Sequence, residues 1–516
     1  MSELPKGWST ATLEDVAVWS SGGTPSRSNP AYFTGAIPWF KTGELGPRVL
    51  LASEEHISVA AVESSSAKIF PRGSVALAMY GATIGKVSIF GIDAATNQAC
   101  AVGIPDATTA EFLYYFLVSQ EKAFADAGKG GAQPNISQGI VKAWPLLLPP
   151  RAEQSRIVAK LEELLSDLDA GVAELKSAQK KLQQYRQSLL KAAVEGALTA
   201  SWREAQRASN TSLETGEQLL ERILRERRAR WETKQLAKFK EQGKTPPKDW
   251  QKNYPEPVAP DATGLPALPE GWVWASVEQV ASDERYSLAI GPFGSNLRVP
   301  DYRDSGVPLV FVRNIRSGKY GGEHTRYVTS EKAFELDAHS VKSGDVLVTK
   351  MGEPPGDADV YPGDQPPAII TADCIKIRCW NGLLRPHFLK SVINSHIGKQ
   401  QIEPITQGVA QKKVSLGRFS SLALPVPPAV EQAEIELAIE IANREINEQL
   451  VTVELSLKQS AAQRQNILRA AFAGQLVPQD PNDEPASMLL ERIRSERAVH
   501  APTRKPRGRK TEEIAA

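Results

Sequence analysis

The sequence contains one long unit twice, and this internal repeat restricts the possible folds more than any other feature. Gly130 corresponds to Gly408 and Gln154 to Gln432, and the offset is the same for both pairs (408 minus 130 equals 432 minus 154). The matching stretches are 130–154 with 408–432, and 189–198 with 467–476. Because each copy joins a globular part to a helical part, the repeat predicts a pseudo-two-fold molecule suited to a target with two separated halves.

The repeat also divides the chain into segments. Trp8 and Trp272 each end a Leu-Pro-x-Gly-Trp motif, and their offset (272 minus 8) is smaller; from there the offset grows in steps along the chain. Stepwise growth is what loop insertions into a shared scaffold produce. The predicted segments are a first globular domain (1–150), a first helix (151–200), a basic and Pro-rich connector (201–264), a second globular domain (265–428), a second helix (429–476), and a short helix with a basic, disordered tail (477–516).

Apolar periodicity predicts the fold class. Short runs rich in β-forming residues, such as 75–80 and 345–349, are bounded by Gly or Pro and predict strands in both globular domains. Helical candidates lie near 111–127 and 386–401. We therefore expect an α+β protein, with two homologous mixed α/β domains separated by two long helices.

Both long helices carry heptad patterns, although the second is weaker. The predicted core positions are Leu161, Leu168, Leu175, Leu182 and Leu189 in the first helix, and Ile439, Ile446, Val453 and Ile467 in the second. Such a pattern predicts a coiled coil; the alternative is an amphipathic helix lying on a globular core. Because the repeat is head-to-tail with a globular domain between the helices, we expect the two helices to pack antiparallel against each other.

Composition excludes several classes of protein. The net charge is +1, and 41% hydrophobic with 23% charged residues is ordinary for a soluble globular chain. No apolar run approaches about 18 residues and the start lacks a signal peptide, so we expect a cytoplasmic protein without a membrane partner. Three cysteines and six scattered histidines indicate neither a disulfide framework nor a metal site.

No catalytic motif is found. The segment Gly81-Ala82-Thr83-Ile84-Gly85-Lys86 resembles a phosphate loop, but three residues rather than four separate its glycines and Val87 follows the lysine. The amino-methyltransferase motif Asn-Pro-Pro-aromatic or Asp-Pro-Pro-aromatic does not occur, nor does a convincing metal-dependent nuclease motif. We therefore expect no catalytic residue in this chain.

Polar and cationic residues instead cluster in the Gly-rich loops of both domains. Arg can bridge the O6 and N7 atoms of guanine, Asn or Gln can bridge N6 and N7 of adenine, and Lys or Ser can hold phosphates. For any single residue, the alternative is turn chemistry or a surface charge. The candidate DNA-binding residues are Thr24, Ser26, Arg27, Lys41, Thr42, Lys86, Asn97, Gln98, Gln133, Asn135, Ser137, Asn296, Arg298, Arg313, Asn314, Arg316, Lys350, Gln411, Lys412 and Lys413.

These motifs together resemble the specificity subunit of type I DNA restriction–modification systems. The resemblance rests on Leu-Pro-x-Gly-Trp, the Gly-Ala-Thr-Ile-Gly-Lys turn, and a Pro-Pro-x-x-Glu-Gln entry to a heptad helix, the whole unit then being repeated. It covers nearly the full length. The basic insertion at about 215–265 departs from it, and its role, either on DNA backbone or on a partner, stays open.

The resemblance implies a non-catalytic chain whose two globular parts are target-recognition domains, each reading one half of a bipartite double-stranded DNA site. Two methyltransferase subunits that use S-adenosylmethionine would bind the helical regions 151–198 and 429–476 and methylate adenine. Restriction/translocase subunits that use ATP and Mg²⁺ would complete the complex, so this chain itself would bind no cofactor. A coiled-coil scaffold that does not bind DNA is one alternative, and an enzyme in its own right is a second.

Overall fold

A computed structural model describes residues 4–128, 134–209, 213–408 and 412–499. The candidates Gln133 and Gln411 and the basic tail at 504–510 lie outside these ranges. The chain forms two compact units: unit 1 comprises residues 1–176 and 453–516, and unit 2 comprises residues 177–452. Within the described ranges, no helix is long and apolar enough to cross a bilayer.

The described residues of unit 1 form eleven short strands. The strands are β1 (Ser9–Thr12), β2 (Ala17–Ser21), β3 (Ile37–Phe40), β4 (Val49–Leu50), β5 (Glu55–Ile57), β6 (Ile69–Phe70), β7 (Val75–Ala78), β8 (Val87–Phe90), β9 (Ala94–Thr96), β10 (Cys100–Pro105) and β11 (Pro145–Leu148). The helices of this part of the chain are α1 (Leu13–Val16), α2 (Val59–Glu63), α3 (Ala110–Ser119), α4 (Glu121–Ala127), α5 (Gln138–Lys142) and the long α6 (Arg151–Val194), which continues into unit 2.

Unit 2 repeats this content after two further helices, α7 (Ala200–Ala208) and α8 (Gly216–Glu241). Its strands are β12 (Val273–Ser276), β13 (Leu288–Ile290), β14 (Val307–Val310), β15 (Tyr327–Val328), β16 (Ser340–Val341), β17 (Val346–Thr349), β18 (Ala358–Val360), β19 (Ala368–Ile370), β20 (Cys374–Ile377), β21 (Thr406–Gln407), β22 (Lys413–Val414) and β23 (Ala423–Val426). The remaining helices here are α9 (Val277–Val280), α10 (Val312–Ser317), α11 (Ser330–Glu335), α12 (Pro386–Asn394), α13 (His396–Ile402), α14 (Leu416–Ser420) and the long α15 (Ala429–Phe472), which continues into unit 1. The last helix, α16 (Ala486–Val499), belongs to unit 1.

Most of the sheet topology is shared by the two units, as the sequence repeat requires; among the described strands, β4 in unit 1 and the β21-β22 pair in unit 2 are the exceptions. One sheet has the order β5-β3-β9-β6 in unit 1 and β15-β14-β19-β16 in unit 2. In both, the two central strands are parallel and the outer strands pair antiparallel with them. A second sheet has the order β2-β10-β7-β8 in unit 1, with β4 added at its edge, and β13-β20-β17-β18 in unit 2. The expected mixed α/β domains are therefore confirmed.

The two long helices pair within each unit, which confirms the antiparallel coiled coil. In unit 1, Asp169 forms an ion pair with Arg464. In unit 2, an Arg186 guanidinium nitrogen donates to Asn447 Oδ1 at 2.7 Å. Arg186 follows Asp169 by as many residues as Asn447 precedes Arg464 (186 minus 169 equals 464 minus 447). Both pairs therefore fit one antiparallel register.

The heptad positions face inward to different degrees. The buried members are Leu161, Leu189, Ile439, Ile446 and Val453, and the half-buried members are Leu168, Leu175, Leu182 and Ile467. Leu161 also belongs to the core of unit 1, and Ile439 to that of unit 2. Ile446 and Val453 are buried nearer the middle of α15, outside both of these cores.

A buried Trp–Glu hydrogen bond ties each domain to the start of its helix. Trp8 Nε1 donates to Glu153 Oε2 at 3.1 Å, and Trp272 Nε1 donates to Glu431 Oε2 at 2.8 Å. Both carboxylates are fully buried. In each copy, the tryptophan of the Leu-Pro-x-Gly-Trp motif donates to the glutamate of the Pro-Pro-x-x-Glu-Gln motif. This contact explains why both motifs occur twice. We call each of these contacts a Trp–Glu junction.

The glutamine after each buried glutamate joins the helix start to the domain backbone. Gln154 Nε2 donates to the Pro149 carbonyl at 3.1 Å, and Gln432 Nε2 donates to the Pro427 and Leu383 carbonyls at 3.0 and 2.8 Å. The side-chain amide of glutamine supplies both donors and an acceptor. A buried turn of this kind needs both if no polar group is to remain unpaired.

The end of each long helix also packs on a Trp–Glu junction. Gly196 follows α6 with φ of +74°, and a Cβ there would lie 2.4 Å from Pro269 Cγ in unit 2. Gly474 follows α15 with φ of +72°, and a Cβ there would lie 2.5 Å from Pro5 Cγ in unit 1. Only glycine fits both the left-handed backbone and the space, so the repeated glycine has a physical cause.

Helices α8 and α16 are equivalent, which gives the first half of the basic connector a structural role. The Gly216 amide donates to the Gly271 carbonyl at 2.7 Å, and the Ala486 amide donates to the Gly7 carbonyl at 2.9 Å. Leu219 and Ile223 join the core of unit 2, as Leu489 and Leu490 join that of unit 1. Each unit is thus closed by a helix from the chain segment that follows a long helix.

The Trp–Glu junction of unit 1 predicts how the charge of Glu153 affects the stability of the fold. Burial raises the pKa of Glu153, so its ionised form destabilises the folded state at neutral pH. Glu153→Gln keeps an acceptor for Trp8 and removes the charge. We expect its melting temperature at pH 7 to equal or exceed that of the unsubstituted chain, whereas Glu153→Ala loses about 1–3 kcal/mol because the indole N–H is left unpaired.

The effect of Glu153→Gln on stability depends on pH. A raised carboxyl pKa contributes stability that is present below about pH 4.5 and lost as the pH rises through the raised value, so the advantage of Glu153→Gln shrinks on acidification. Glu174→Gln, at an exposed position of the same helix, is the control and leaves the melting temperature unchanged. A Glu153→Gln chain as unstable at pH 7 as Glu153→Ala would contradict the argument.

Candidate nucleic-acid interface

Parallel strand pairs place distant candidate residues side by side in unit 1. Lys41 and Thr42 follow β3, and Asn97 and Gln98 follow β9. The two strands are parallel neighbours with Phe40 opposite Thr96, and the Asn97 amide donates to the Phe40 carbonyl at 3.2 Å. Because the carboxyl ends of parallel strands meet at one sheet edge, two loops that lie far apart in the sequence form a single cluster.

Arg27 and Lys41 share one carboxylate in this cluster. An Arg27 guanidinium nitrogen lies 2.6 Å from Glu55 Oε2, and Lys41 Nζ lies 3.1 Å from Glu55 Oε1 and 2.9 Å from Glu54 Oε2. The hydrogen bond from Arg27 lowers the pKa of Glu55. The guanidinium also lies over Phe33, 4.2 Å from the ring centroid. Two of the predicted phosphate or base ligands are therefore held in place before any ligand arrives.

Thr24 and Gln98 meet through a side-chain hydrogen bond, so the loop after β2 joins the same cluster. Gly22 and Gly23 let the backbone pass close to its neighbours, since a Cβ on Gly22 would lie 2.1 Å from Thr96 Oγ1. Asn97 is used internally: its Oδ1 accepts from the Ala99 amide at 3.2 Å. Gln98 and Ser26 are exposed.

Unit 2 builds the corresponding cluster at the end of β14. The Thr371 amide donates to the Val310 carbonyl at 3.0 Å, as Asn97 does to Phe40 in unit 1. Arg313 is exposed, lies 4.2 Å from the Phe311 ring centroid, and donates to the His324 carbonyl at 2.7 Å. The equivalent strand pairs therefore carry different side chains at this edge: an arginine from α10 in unit 2, and a lysine and a threonine in unit 1.

Asn314 and Arg316 hold this loop together. Asn314 is buried; its Oδ1 accepts from the Phe311 amide at 2.9 Å, and its Nδ2 donates to the Lys319 carbonyl at 3.1 Å. Arg316 donates to Asp357 Oδ2 at 2.8 Å and to the Pro354 carbonyl at 2.8 Å. Both side chains satisfy backbone or carboxylate groups of their own unit.

The other unit 2 candidates surround this loop more openly. Asn296, Arg298, Lys412 and Lys413 are exposed. Lys350 is half-buried, with Nζ 5.3 Å from the Phe293 ring centroid and 3.4 Å from the Ala372 carbonyl. The bridge between Met351 and Lys413 sets the start of β22 against the end of β17.

Three unit 1 candidates occupy a second position, near the β7–β8 turn. A bridge between Tyr80 and Asn135 corresponds to the one between Met351 and Lys413. Ser137 is the N-cap of α5, its Oγ accepting from the Ile140 amide at 3.3 Å. Lys86 ends the turn itself, and no ion pair or hydrogen bond links its side chain to the other candidates among the described residues.

Exposed aromatic residues at these loops escaped the sequence analysis. Phe293 is 66% exposed and lies beside Lys350, and Tyr80 is 46% exposed and bridges to Asn135. Aromatic rings in clefts can stack or wedge on bases. Phe293 directly follows a Gly-Pro pair, and Tyr80 directly precedes a Gly-Ala turn. These positions could have identified them from the sequence, since large apolar residues are uncommon in exposed turns.

The part of the chain that the structure describes offers no evidence for a metal site or for a reactive thiol. No group of three or more His, Cys, Asp or Glu side chains there is placed to hold a metal ion. Cys100 and Cys374 are fully buried at equivalent strand starts, and burial raises the pKa of each thiol to about 12. They are packing residues, as the repeat indicates.

Comparison with known proteins agrees with this architecture. Residues 5–177 match the family model of the type I restriction modification DNA specificity domain. The EcoDI specificity subunit of a type I restriction enzyme from Escherichia coli is 24% identical over 511 residues, covering 96% of this chain and 97% of that protein. The EcoBI specificity subunit, also from Escherichia coli, is 23% identical over 419 residues, covering 78% of this chain and 75% of that protein.

A solved structure shows the same fold. A chain from a study of complex assembly and conformational transition in a type I R-M system matches with a TM-score of 0.64 and 14% identity, covering 92% of this chain and 100% of that one. The fold is thus that of a two-domain coiled-coil chain with duplicated loop clusters. The first third of the chain matches the type I DNA specificity domain, and the chain is similar along nearly its full length to a type I specificity subunit; the alternative of a scaffold that does not bind DNA is not favoured.

Alanine substitutions at Asn314 and Asn296 compare the contribution of a buried, hydrogen-bonded asparagine to stability with that of an exposed one. Asn314→Ala leaves the Phe311 amide and the Lys319 carbonyl unpaired, so we expect it to lower the free energy of unfolding by about 1–3 kcal/mol. Asn296→Ala removes an exposed side chain and should stay within about 0.5 kcal/mol of the unsubstituted chain. Urea unfolding of the two variants checks this, and equal destabilisation would show that the Asn314 contacts contribute nothing.

Proposed function

We propose that this specificity subunit reads a bipartite double-stranded DNA sequence, one half with each globular domain, and delivers that site to catalytic partner chains. The observation that carries the proposal is the duplicated loop cluster at the carboxyl ends of β3 and β9 and of β14 and β19. Two related surfaces that carry different side chains are suited to two different half-sites.

The side chains available for base contact differ from those that only build the loops. In unit 1, Gln98 and Ser26 are exposed, with Arg27 and Lys41 anchored beside them. In unit 2, Asn296, Arg298 and Arg313 are exposed. Amide and guanidinium groups can form paired hydrogen bonds with adenine and guanine edges in the major groove. The predicted reading residues thus include purine-reading side chains in both units, whereas Asn314 and Asn97 position their loops.

The catalytic steps belong to partners in this proposal. Two methyltransferase subunits carrying S-adenosylmethionine would methylate adenine, and restriction/translocase subunits using ATP and Mg²⁺ would cleave unmodified DNA. The part of the present chain is to recognise the site and to hold these partners. The long helices α6 and α15 are the proposed docking sites for the methyltransferase subunits, since much of their outer surface is exposed.

Mapping methylated adenines across a genome tests this function directly. A host that carries the gene with its partner genes should modify a two-part sequence with an unread spacer and one adenine in each half. The matched control is the same host with this gene alone deleted, in which the modification disappears while the methyltransferase chain is still made.

Four results would reject the proposal. A contiguous modified motif, or no motif that depends on this gene, would show that the chain does not read two half-sites. Methyl transfer to duplex DNA by the purified chain alone would show that it is itself an enzyme. A chain that shows no salt-dependent DNA affinity even with its partners would instead revive the scaffold.

A further inference from the structure

The second half of the basic connector folds into a compact element of its own. Helix α8 runs past the core of unit 2, ends at Glu241, and is followed by a turn in which the Lys244 amide donates to the Phe239 carbonyl at 2.8 Å. The chain then returns so that Trp250 stacks on Trp231, with ring centroids 5.6 Å apart, and Tyr254 meets Trp231 at 5.3 Å. We call residues 231–254 the lysine hairpin.

The hairpin is anchored to unit 2 along its first half. Lys234 Nζ lies 2.9 Å from Asp283 Oδ2, and Arg227 just before it donates to the Glu278 carbonyl at 2.9 Å. Arg230 lies 4.6 Å from the Trp380 ring centroid. The positive charges nearest the domain are therefore neutralised or packed, and they fix the direction in which α8 leaves it.

The second half carries positive charge that the protein does not neutralise. Residues 231–254 contain six lysines and three acidic residues. Lys238, Lys240, Lys244 and Lys248 are exposed, and none of them forms an ion pair with any described residue. By contrast, residues 1–150 contain 10 basic and 12 acidic residues, so the first recognition domain offers no excess charge for a polyanion.

The remaining surface of the hairpin does not resemble a protein-binding site. Its aromatic rings face one another, and Leu236 is the one large apolar side chain more than a third exposed within residues 231–254, all of which are described. Protein interfaces are enriched in exposed aromatic residues at their centre and depleted in lysine, whereas lysines without partners are the usual contacts of DNA phosphates.

We propose that the lysine hairpin binds the phosphate backbone of double-stranded DNA outside the bases that the loop clusters read. This inference rests on the proposed function and extends it: the recognition loops supply sequence selectivity, and the hairpin supplies affinity that does not depend on sequence. Lys238, Lys240, Lys244 and Lys248 are the contacting residues.

The test is the salt dependence of DNA binding by the complex of this chain with its methyltransferase subunits, using a duplex that carries the motif found by adenine mapping. Each lost phosphate contact makes the plot of log affinity against log salt shallower by up to about 0.9. We expect a decrease of up to about 2 for Lys244→Gln with Lys248→Gln, and of up to about 4 when Lys238→Gln and Lys240→Gln are added, with the modified motif unchanged.

The matched control is Lys6→Gln with Lys122→Gln, which removes the same charge at exposed positions elsewhere and should leave the slope as it is. An unchanged slope in the hairpin variants overturns the proposal. If those variants instead weaken the complex with methyltransferase subunits in the absence of DNA, the hairpin is a protein-binding element and the proposal is also wrong. Loss of the bipartite motif in the unsubstituted complex would count against the proposed function, not against the hairpin alone.

Discussion

The two Trp–Glu junctions are the contacts on which the rest of the structure depends. Each buries a carboxylate completely and gives it an indole N–H as partner. In unit 2 the carboxylate of Glu431 also pairs with Arg203 and accepts from Thr199 Oγ1 at 2.6 Å, while in unit 1 Gln479 Nε2 lies 3.3 Å from Glu153 Oε1. Burying a charge without partners is costly, so the partners that each domain supplies hold the start of a long helix against it.

Much of the architecture could be predicted from the sequence because duplication leaves a register that is easy to measure. The repeated Trp and Glu-Gln motifs, the strands and the heptads all follow from residue spacing. Pairing Trp8 with Glu153 could not be predicted, since it joins residues far apart in the sequence. The equivalence of α8 and α16 was visible as Leu-Leu-Glu-Arg-Ile at 219–223 and 489–493, but the core each helix enters is a matter of three-dimensional packing.

The candidate site was harder to predict because turn formation and base recognition use the same residue types. Asn314 and Gln98 were chosen by one criterion, a polar amide in a loop, yet Asn314 is buried with both ends of its amide bonded and Gln98 is exposed. Arg316 and Arg298 are both exposed, but Arg316 is bonded to Asp357 and to the Pro354 carbonyl. The sequence identifies the loop, whereas the burial and the bonding of each side chain become visible only in the structure.

The family resemblance implies that the paired helices set the unread spacer between the two half-sites, and the proposed function depends on this. Deleting residues 170–176 from α6 and 457–463 from α15 removes one facing heptad, because these stretches match in the Asp169–Arg464 register. The pair shortens by about 10 Å, or about three base pairs at roughly 3.4 Å each. Adenine mapping should then show both half-sites unchanged with a shorter spacer. An active variant that keeps the original spacer would contradict the account.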